Sequence, residues 1–235
     1  MSLLGRIIRL PLLVIASDKP VHVLAGPLRG ASWLPGSATH GCWLGTYERR
    51  TQVLFDRVTR PGDVVFDIGA NVGFYTLLAA RLVGPAGKVV AFEPLPRNLA
   101  MLERHLAYNS LANVEIVRAA VAERSGSAHF AGGGGPSTGY LAAQGTPIDL
   151  VCLDDLVADE SIRPPNVVKI DVEGAESRVL EGGRRTFTTH RPKVILAAHG
   201  WEQWTLCVRL LESFGYAVTL QRDGARDGNY SLLAA

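Results

Sequence analysis

The 235-residue chain has little of what marks several large classes of protein. Its three cysteines, Cys42, Cys152 and Cys207, lie far apart, so they form neither a zinc-binding spacing nor a disulfide framework, and a cytoplasmic location is predicted. The formal net charge is only +2, without a Lys/Arg-rich run, which disfavours nucleic acid as a partner. No apolar run is long enough to cross a membrane, so no transmembrane segment is predicted.

The N-terminal 45 residues differ in character from the rest of the chain. Arg6 and Arg9 precede an apolar run over residues 11–16 that has only the minimum length for an export signal. We interpret this region as a short amphipathic helix that contacts the domain, a second subunit or a membrane surface. Residues 18–45 predict an irregular arm with one hairpin, either folded over a ligand site or lying on the surface. The predicted division is an arm, 1–45, and a main domain, 46–235.

The most informative stretch is residues 64–76, Val-Val-Phe-Asp-Ile-Gly-Ala-Asn-Val-Gly-Phe-Tyr-Thr. It predicts a buried strand, a glycine turn and a helix start, in which Gly69 permits the turn and Gly73 a close approach. A dinucleotide-binding pattern would need glycine where Asn71 stands, and the Asp67 carboxylate would repel a pyrophosphate. Asp67 instead suits a ligand with an ammonium or sulfonium group, such as S-adenosylmethionine. The alternative is a buried aspartate that caps the following helix.

A second acidic residue ends the next predicted strand. Glu93 follows residues 88–92, and a carboxylate at this place can accept hydrogen bonds from both hydroxyls of a ribose. Nicotinamide-dependent oxidoreductases use the same device, so that class remains an alternative, although Asp67 and Asn71 disfavour it.

Alternation of strand and helix patterns predicts an α/β protein. The predicted strands are 64–68, 88–92, 114–119, 166–170, 193–198, 216–221 and 229–234, and the predicted helices are 46–59, 72–83, 96–108, 173–181 and 201–214. The last two strands should pair as an antiparallel hairpin, whereas the others should be parallel with right-handed crossovers. Residues 126–130 and 148–152 predict a small hairpin inserted after the third strand. The glycine-rich loop between them, 131–147, is either a linker or a substrate lid.

Several segments together resemble the FkbM family of S-adenosylmethionine-dependent methyltransferases. They are Asp-Ile-Gly-Ala-Asn-Val-Gly at 67–73, Phe-Glu-Pro at 92–94, Leu-Asp-Asp-Leu at 153–156, Lys-Ile-Asp-Val-Glu-Gly-Ala-Glu at 169–176 and Val-Leu-Glu-Gly at 179–182. The resemblance covers about residues 45–220. It implies a class I methyltransferase Rossmann-like fold, with a mostly parallel seven-stranded sheet. It also implies methylation of an oxygen, usually a hydroxyl of a polyketide, a glycan or another natural product, so the predicted partner is a small-molecule or glycan acceptor.

The resemblance also assigns the binding of the cofactor S-adenosylmethionine, whose product is S-adenosylhomocysteine. The residues implied to hold it are Asp67, Gly69, Ala70, Asn71, Gly73, Phe74, Thr76, Glu93 and Pro94, with Ala119 and Ala120 near the adenine. Members often carry a glutamate two positions before the histidine that matches His199, but this chain has Ala197 there. That departure keeps open a third hypothesis, a non-catalytic adenosylmethionine-binding protein.

The predicted catalytic residues follow the fourth and fifth strands of the main sheet. His199 is the predicted general base, because an unperturbed imidazole titrates near ~6.5; the alternative is a histidine that only satisfies a helix start. Asp171 and Glu173 are predicted to orient the acceptor or the cofactor amine, and the alternative is helix capping. These three side chains could hold a divalent cation. We nevertheless predict no fixed metal, because Ala197 removes a ligand and no His/Cys cluster exists.

Overall fold

The computed structural model describes residues 19–132, 139–221 and 229–235. In chain order the strands are β1 (Val21–His22), β2 (Ser32–Trp33), β3 (Val64–Ile68), β4 (Lys88–Phe92), β5 (Val114–Val117), β6 (Ala120–Val121), β7 (Gly126–Gly132), β8 (Gly139–Ala142), β9 (Thr146–Val151), β10 (Val167–Ile170), β11 (Lys193–His199), β12 (Val218–Gln221) and β13 (Asn229–Ala234). The helices are α1 (His40–Leu44), α2 (Arg49–Val58), α3 (Phe74–Val83), α4 (Pro96–Tyr108), α5 (Leu153–Ala158), α6 (Glu176–Gly182), α7 (Arg184–His190) and α8 (Trp201–Ser213). The amphipathic helix predicted near the N-terminus, most of the glycine run after Ala131 and the turn at 223–228 lie outside the described residues.

The main sheet has seven strands in the order β12-β13-β11-β10-β3-β4-β5. Strand β13 is antiparallel to both of its neighbours, whereas the pairs β11–β10, β10–β3, β3–β4 and β4–β5 are parallel. This confirms the predicted mostly parallel sheet with its antiparallel C-terminal hairpin. The strand order reverses between β3 and β10, so their carboxyl ends meet at a crevice where α/β sheets bind ligands.

Both faces of this sheet are covered, which explains why β3 is apolar without alternation and fully buried. Phe66 and Ile68 pack into a cluster on one face with residues of α6, α7 and α8, whereas Val65 belongs to the cluster on the opposite face. Because side chains alternate along a strand, Asp67 projects to the Val65 face. Its register partner in β10 is Lys169, so the two charged side chains lie side by side.

The insertion after the third strand is larger than the predicted hairpin. Strands β7 and β9 pair antiparallel as predicted, but β8 and β6 extend them into a four-stranded sheet of order β6-β9-β7-β8. The predicted strand 114–119 ends two residues early, at Val117, and the two-residue β6 that follows it joins the second sheet. Strands of two residues are too short to show any periodicity in the sequence.

The N-terminal segment is packed onto the main domain. Strands β1 and β2 form the predicted hairpin, and Trp33 stacks on His105 of α4 with ring centroids 4.0 Å apart. The backbone N–H of Leu34 donates to His105 Nε2 at 3.1 Å, and His105 Nδ1 lies 2.7 Å from the carbonyl oxygen of Val72. Because a carbonyl only accepts, the ring must be neutral with its proton on Nδ1, and burial lowers the pKa of His105 to about 4. One imidazole thus links the segment to the glycine turn.

Among the described residues, no helix is both long enough and apolar enough to cross a membrane.

Candidate active site

A cavity of about 840 Å³ opens at the carboxyl ends of the central strands. Its wall contains residues 68–72 after β3, 92–95 after β4 and 169–175 at the end of β10, and residues from 38–54 also line it. Ligand pockets in proteins measure roughly 300–1,000 Å³. The cavity therefore has the size of a ligand-binding pocket.

The glycine turn has the conformation that its sequence requires. Gly69 has φ +83°, and a Cβ there would lie 1.9 Å from the carbonyl oxygen of Asp171, so no larger residue fits. Asn71 adopts the left-handed region with φ 52°, which asparagine tolerates better than most residues. A Cβ on Gly73 would lie 2.4 Å from Leu102 Cδ1. The close approach predicted at Gly73 is therefore made by helix α4.

Glu93 is held rigidly between the turn and the start of α4. Its Oε2 accepts from the Asn71 N–H at 2.8 Å, and its Oε1 accepts from the Leu95 N–H at 2.9 Å and from Asn98 Nδ2 at 3.2 Å. Burial raises the pKa of the Glu93 carboxyl, and the hydrogen bonds from Leu95, Asn71 and Asn98 offset only part of that effect. A carboxylate has about four lone-pair positions, so Oε2 keeps one for a ligand hydroxyl.

The direct contact predicted between Asp67 and a positively charged ligand needs correction. The carboxylate is fully buried, its Oδ2 accepts from Thr76 Oγ1 at 2.6 Å, and its Oδ1 lies 3.8 Å from Lys169 Nζ. Asp67 is not among the residues that line the cavity. The alternative, helix capping, is not what the geometry shows either, because the N-cap of α3 is Gly73. The role of Asp67 in cofactor binding stays a prediction, and any such role is exerted through Thr76 and Lys169.

The residues predicted to hold the cofactor fall into two groups. Gly69, Ala70, Asn71, Phe74, Glu93, Pro94 and Ala120 line the cavity, whereas Asp67, Gly73, Thr76 and Ala119 lie behind its surface. The structure thus brings together the turn, the Glu93 loop and Ala120, and it places the second group in supporting positions.

His199 ends β11 and is surrounded by three carboxylates. Its Nδ1 lies 2.7 Å from Glu176 Oε1, and its Nε2 lies 3.7 Å from Asp171 Oδ1 and 3.4 Å from Glu173 Oε2. Burial alone would lower the pKa of His199, but the hydrogen bond to Glu176 and the charges of Asp171 and Glu173 raise it to about 9. The predicted titration near ~6.5 is therefore wrong, because it assumed an unperturbed imidazole.

The predicted catalytic residues come together in the cavity wall. Asp171, Glu173 and His199 present donor atoms that all lie within 4.8 Å of one another, a spacing that would also suit a cation. The prediction that no fixed metal is needed therefore stays a prediction. Glu173 has a left-handed φ of 56°, and burial raises the pKa of its carboxyl, an effect that the charge of His199 partly offsets.

Three further side chains at this site were not predicted to bind or catalyse. Glu176 is fully buried and orients His199. Its position in the 169–176 motif was the feature of the sequence that could have identified it as a site residue. Tyr75 donates from its hydroxyl to Glu48 Oε2 at 2.7 Å. Glu48 precedes α2 without a capping hydrogen bond from its side chain, and it lines the cavity. Tyr75 follows the turn directly, but nothing in the sequence pairs it with Glu48.

Comparison with known proteins agrees with the fold. The model of the methyltransferase FkbM domain matches residues 67–218. The 31-O-demethyl-FK506 methyltransferase FkbM of Streptomyces tacrolimicus is 30% identical over 70% of this chain and 76% of its own length. The hexuronic acid methyltransferase AglP of Haloferax volcanii is 32% identical over 51% of this chain and 49% of its own. Aeropyrum pernix fibrillarin, solved with natively bound S-adenosyl-L-methionine, is 13% identical and shares the fold, with a TM-score of 0.54 over 79% of this chain and 74% of its own.

The strand order, the glycine turn and these matches define an S-adenosylmethionine-dependent methyltransferase with the class I fold. More narrowly, the chain belongs to the FkbM methyltransferase family.

Proposed function

We propose that the protein is an O-methyltransferase whose acceptor is a hydroxyl of a small natural product or a glycan. The observation that carries this proposal is the cluster of Asp171, Glu173 and His199 in the wall of the cavity that also contains the glycine turn. A hydroxyl must lose its proton when it is methylated, so the acceptor needs proton-accepting groups beside it. The relatives named above act on 31-O-demethyl-FK506 and on a hexuronic acid, which supports an oxygen-rich acceptor.

The residues around the turn fit the cofactor. Gly69 and Ala70 leave the surface open because neither carries a large side chain, and the backbone around Asn71 is fixed by Glu93. The free lone pair on Glu93 Oε2 is available to a ribose hydroxyl, and Ala120 leaves room for a flat ring. When bound, S-adenosylmethionine supplies a methyl group that its sulfonium has already activated. The protein then has to align the acceptor, exclude water and receive a proton.

We assign the proton-accepting role to His199. The hydrogen bond between its Nδ1 and Glu176 fixes the ring so that Nε2 points toward Asp171 and Glu173 in the cavity wall. With a pKa of about 9, most of the rings carry a proton at neutral pH, so only the neutral fraction can act as the base. Asp171 and Glu173 would hold the acceptor hydroxyl beside this nitrogen and stabilise the imidazolium that forms.

The other aspects of the proposal follow from the same residues. No fixed cation is assigned, because His199 already offsets part of the charge of the carboxylates. A cytoplasmic site of action is supported by Cys42, Cys152 and Cys207, which are all buried free thiols. The alternatives remain a non-catalytic adenosylmethionine-binding protein and, less favoured, a nicotinamide-dependent oxidoreductase.

The test combines binding with methyl transfer. Calorimetry should show binding of S-adenosylhomocysteine and none of NAD. The protein should then be incubated with methyl-labelled S-adenosylmethionine and a panel of hydroxylated macrolides, sugars and hexuronic acids, and the product analysed by NMR. A labelled O-methyl group supports the proposal. Label on nitrogen, carbon or sulfur would overturn the O-specificity, and binding without any transfer would favour the non-catalytic alternative.

A further inference from the structure

Lys169 is a buried ammonium group that the proposed chemistry does not yet use. It lies in β10, opposite Asp67 on one side and Ile195 of β11 on the other. Its side chain is only 5% exposed, yet it forms part of the cavity wall. A charged group in such a position is costly unless its charge and its hydrogen-bond donors have partners.

The charge of Lys169 is well compensated. Asp171 Oδ2 lies 3.1 Å from Nζ, Asp67 Oδ1 lies 3.8 Å away, and the ring centroid of Tyr75 lies 4.7 Å from it. Glu48 adds a further negative charge from the N-terminal end of α2. Burial lowers the pKa of Lys169, but Asp171, Asp67 and Glu48 raise it by more. The side chain therefore remains an ammonium ion at neutral pH.

The hydrogen-bond donors of Lys169 are not all used. An ammonium group has three N–H donors, and among the described residues only Asp171 Oδ2 accepts one of them. Asp67 Oδ1 lies beyond hydrogen-bond distance of Nζ, and it accepts no hydrogen bond from any other group in the described parts of the chain. A group that only neutralised Asp67 would be expected to bond to it. The remaining donors are therefore available to an oxygen atom that enters the cavity.

The position of Lys169 favours the acceptor over the cofactor. The cofactor turn and Glu93 follow β3 and β4, whereas Lys169 lies in β10, between β3 and β11, and bonds to Asp171 of the proposed proton-accepting cluster. Ile195, Ala197 and His199 of β11 line the same cavity. An ammonium ion also repels a sulfonium ion, so the reacting end of the cofactor would not rest on it.

We propose that Lys169 is a catalytic residue that donates a hydrogen bond to the acceptor oxygen, and that the acceptor is therefore a molecule presenting a hydroxyl or carboxylate oxygen at β10. This rests on the proposed function. In the reaction an electron pair of the acceptor oxygen would form the bond to the methyl carbon while the carbon–sulfur bond breaks, and the electron pair of the broken bond would stay on sulfur and neutralise its charge. A hydroxyl proton passes to His199, and Lys169 keeps its protons while it stabilises the negative charge that develops on oxygen.

The test compares affinities for S-adenosylmethionine and S-adenosylhomocysteine, which differ by one positive charge near the reaction centre. In Lys169→Met, the preference for the charged cofactor should rise roughly thirty- to 100-fold, the range for two like charges roughly 6–8 Å apart at an effective dielectric constant of about 20. Turnover of an acceptor that the wild type methylates should fall about 10²–10³-fold. Lys169→Arg should keep the cofactor preference, and the control Lys88→Met, which removes a lysine paired with Glu115 at the far end of β4, should change neither quantity.

The outcomes separate this inference from the proposed function. Turnover within a few-fold of wild type, whatever the cofactor preference, would show that Lys169 only balances charge and would overturn the inference. Loss of affinity for both cofactors would place Lys169 in the cofactor subsite and would equally overturn the inference. If Lys169→Met does not fold, the double variant with Asp67→Asn removes one charge of each sign, and its turnover is then compared with that of the single variant Asp67→Asn, without use of the cofactor preference. Failure of the proposed function would instead appear as a wild type that transfers no methyl group to oxygen.

Discussion

Replacement of Glu93 by glutamine should weaken both the fold and the cofactor site, although the two side chains have nearly the same shape. The two carboxylate oxygens accept from N–H groups of Asn71, Leu95 and Asn98. A glutamine can place its carbonyl toward Leu95 and Asn98, but its NH₂ group then faces the Asn71 N–H, donor against donor. The loss of one charge-assisted bond and the unpaired N–H cost ~1.5–3 kcal/mol.

Two measurements check this prediction for Glu93→Gln. The free energy of unfolding of the cofactor-free protein in urea should fall by ~1.5–3 kcal/mol. Calorimetry should show that affinity for S-adenosylhomocysteine falls by at least ~1–3 kcal/mol, roughly five- to 150-fold, because the turn and the proposed ribose contact are both disturbed. Glu103→Gln is the matched control, since Glu103 is an exposed residue of α4 paired with Arg118. Equal stability and affinity in Glu93→Gln and wild type would refute the reasoning.

The remaining predictions concern His199 and metal. His199→Ala should lower turnover ~10²–10⁴-fold while affinity for S-adenosylhomocysteine stays nearly intact, and a collapse of that affinity would move His199 to the cofactor shell. The wild-type rate should rise as pH passes through about 9, the raised pKa of His199. A rise centred near neutrality would contradict the conclusion that the surrounding carboxylates raise this pKa. For the same reason the contribution of His199 to stability should be complete below its ordinary pKa of 6.5 and lost as pH rises through about 9, as urea unfolding at several pH values would show. EDTA should not abolish methylation, and activity lost to EDTA and restored by magnesium would establish a cation at Asp171, Glu173 and His199.

The sequence was sufficient for the parts of the fold that depend on local pattern. A parallel sheet with a binding crevice is specified by the glycine turn, the strand-end acids and the apolar strands. The strands of this sheet lie within a few residues of their predicted bounds. It was not sufficient for β6 and β8, whose pairing is decided by contacts with β9 and β7 across the insertion. Short strands of this kind carry no periodic signal of their own.

Electrostatic detail was the other part that the sequence could not supply. Asp67 was correctly recognised as an acid at a strand end, but its neighbour Lys169 comes from a strand about a hundred residues later. An ordinary pKa was predicted for His199 because the sequence does not show that Glu173 and Glu176 lie beside its ring. Their positions depend on how α6 and the residues before it pack against β11. Such contacts are set by tertiary packing, so composition and spacing indicate which residues are present but not which charges meet.

The two sides of the cavity carry different information about the acceptor. The family match begins at Asp67 and includes the turn, Glu93 and the strand-end cluster, to which we assign cofactor binding and proton transfer. Part of the wall is built from earlier residues, among them Thr39, Tyr47, Glu48 and Leu54, which lie outside that match. His105 ties the arm to the turn through Leu34 and Val72, so this wall is fixed relative to the cofactor subsite. Family membership therefore concerns the matched region, whereas residues 38–54 are the lining residues in which this chain can differ from its relatives and add contacts to the acceptor beside those proposed at β10 and β11.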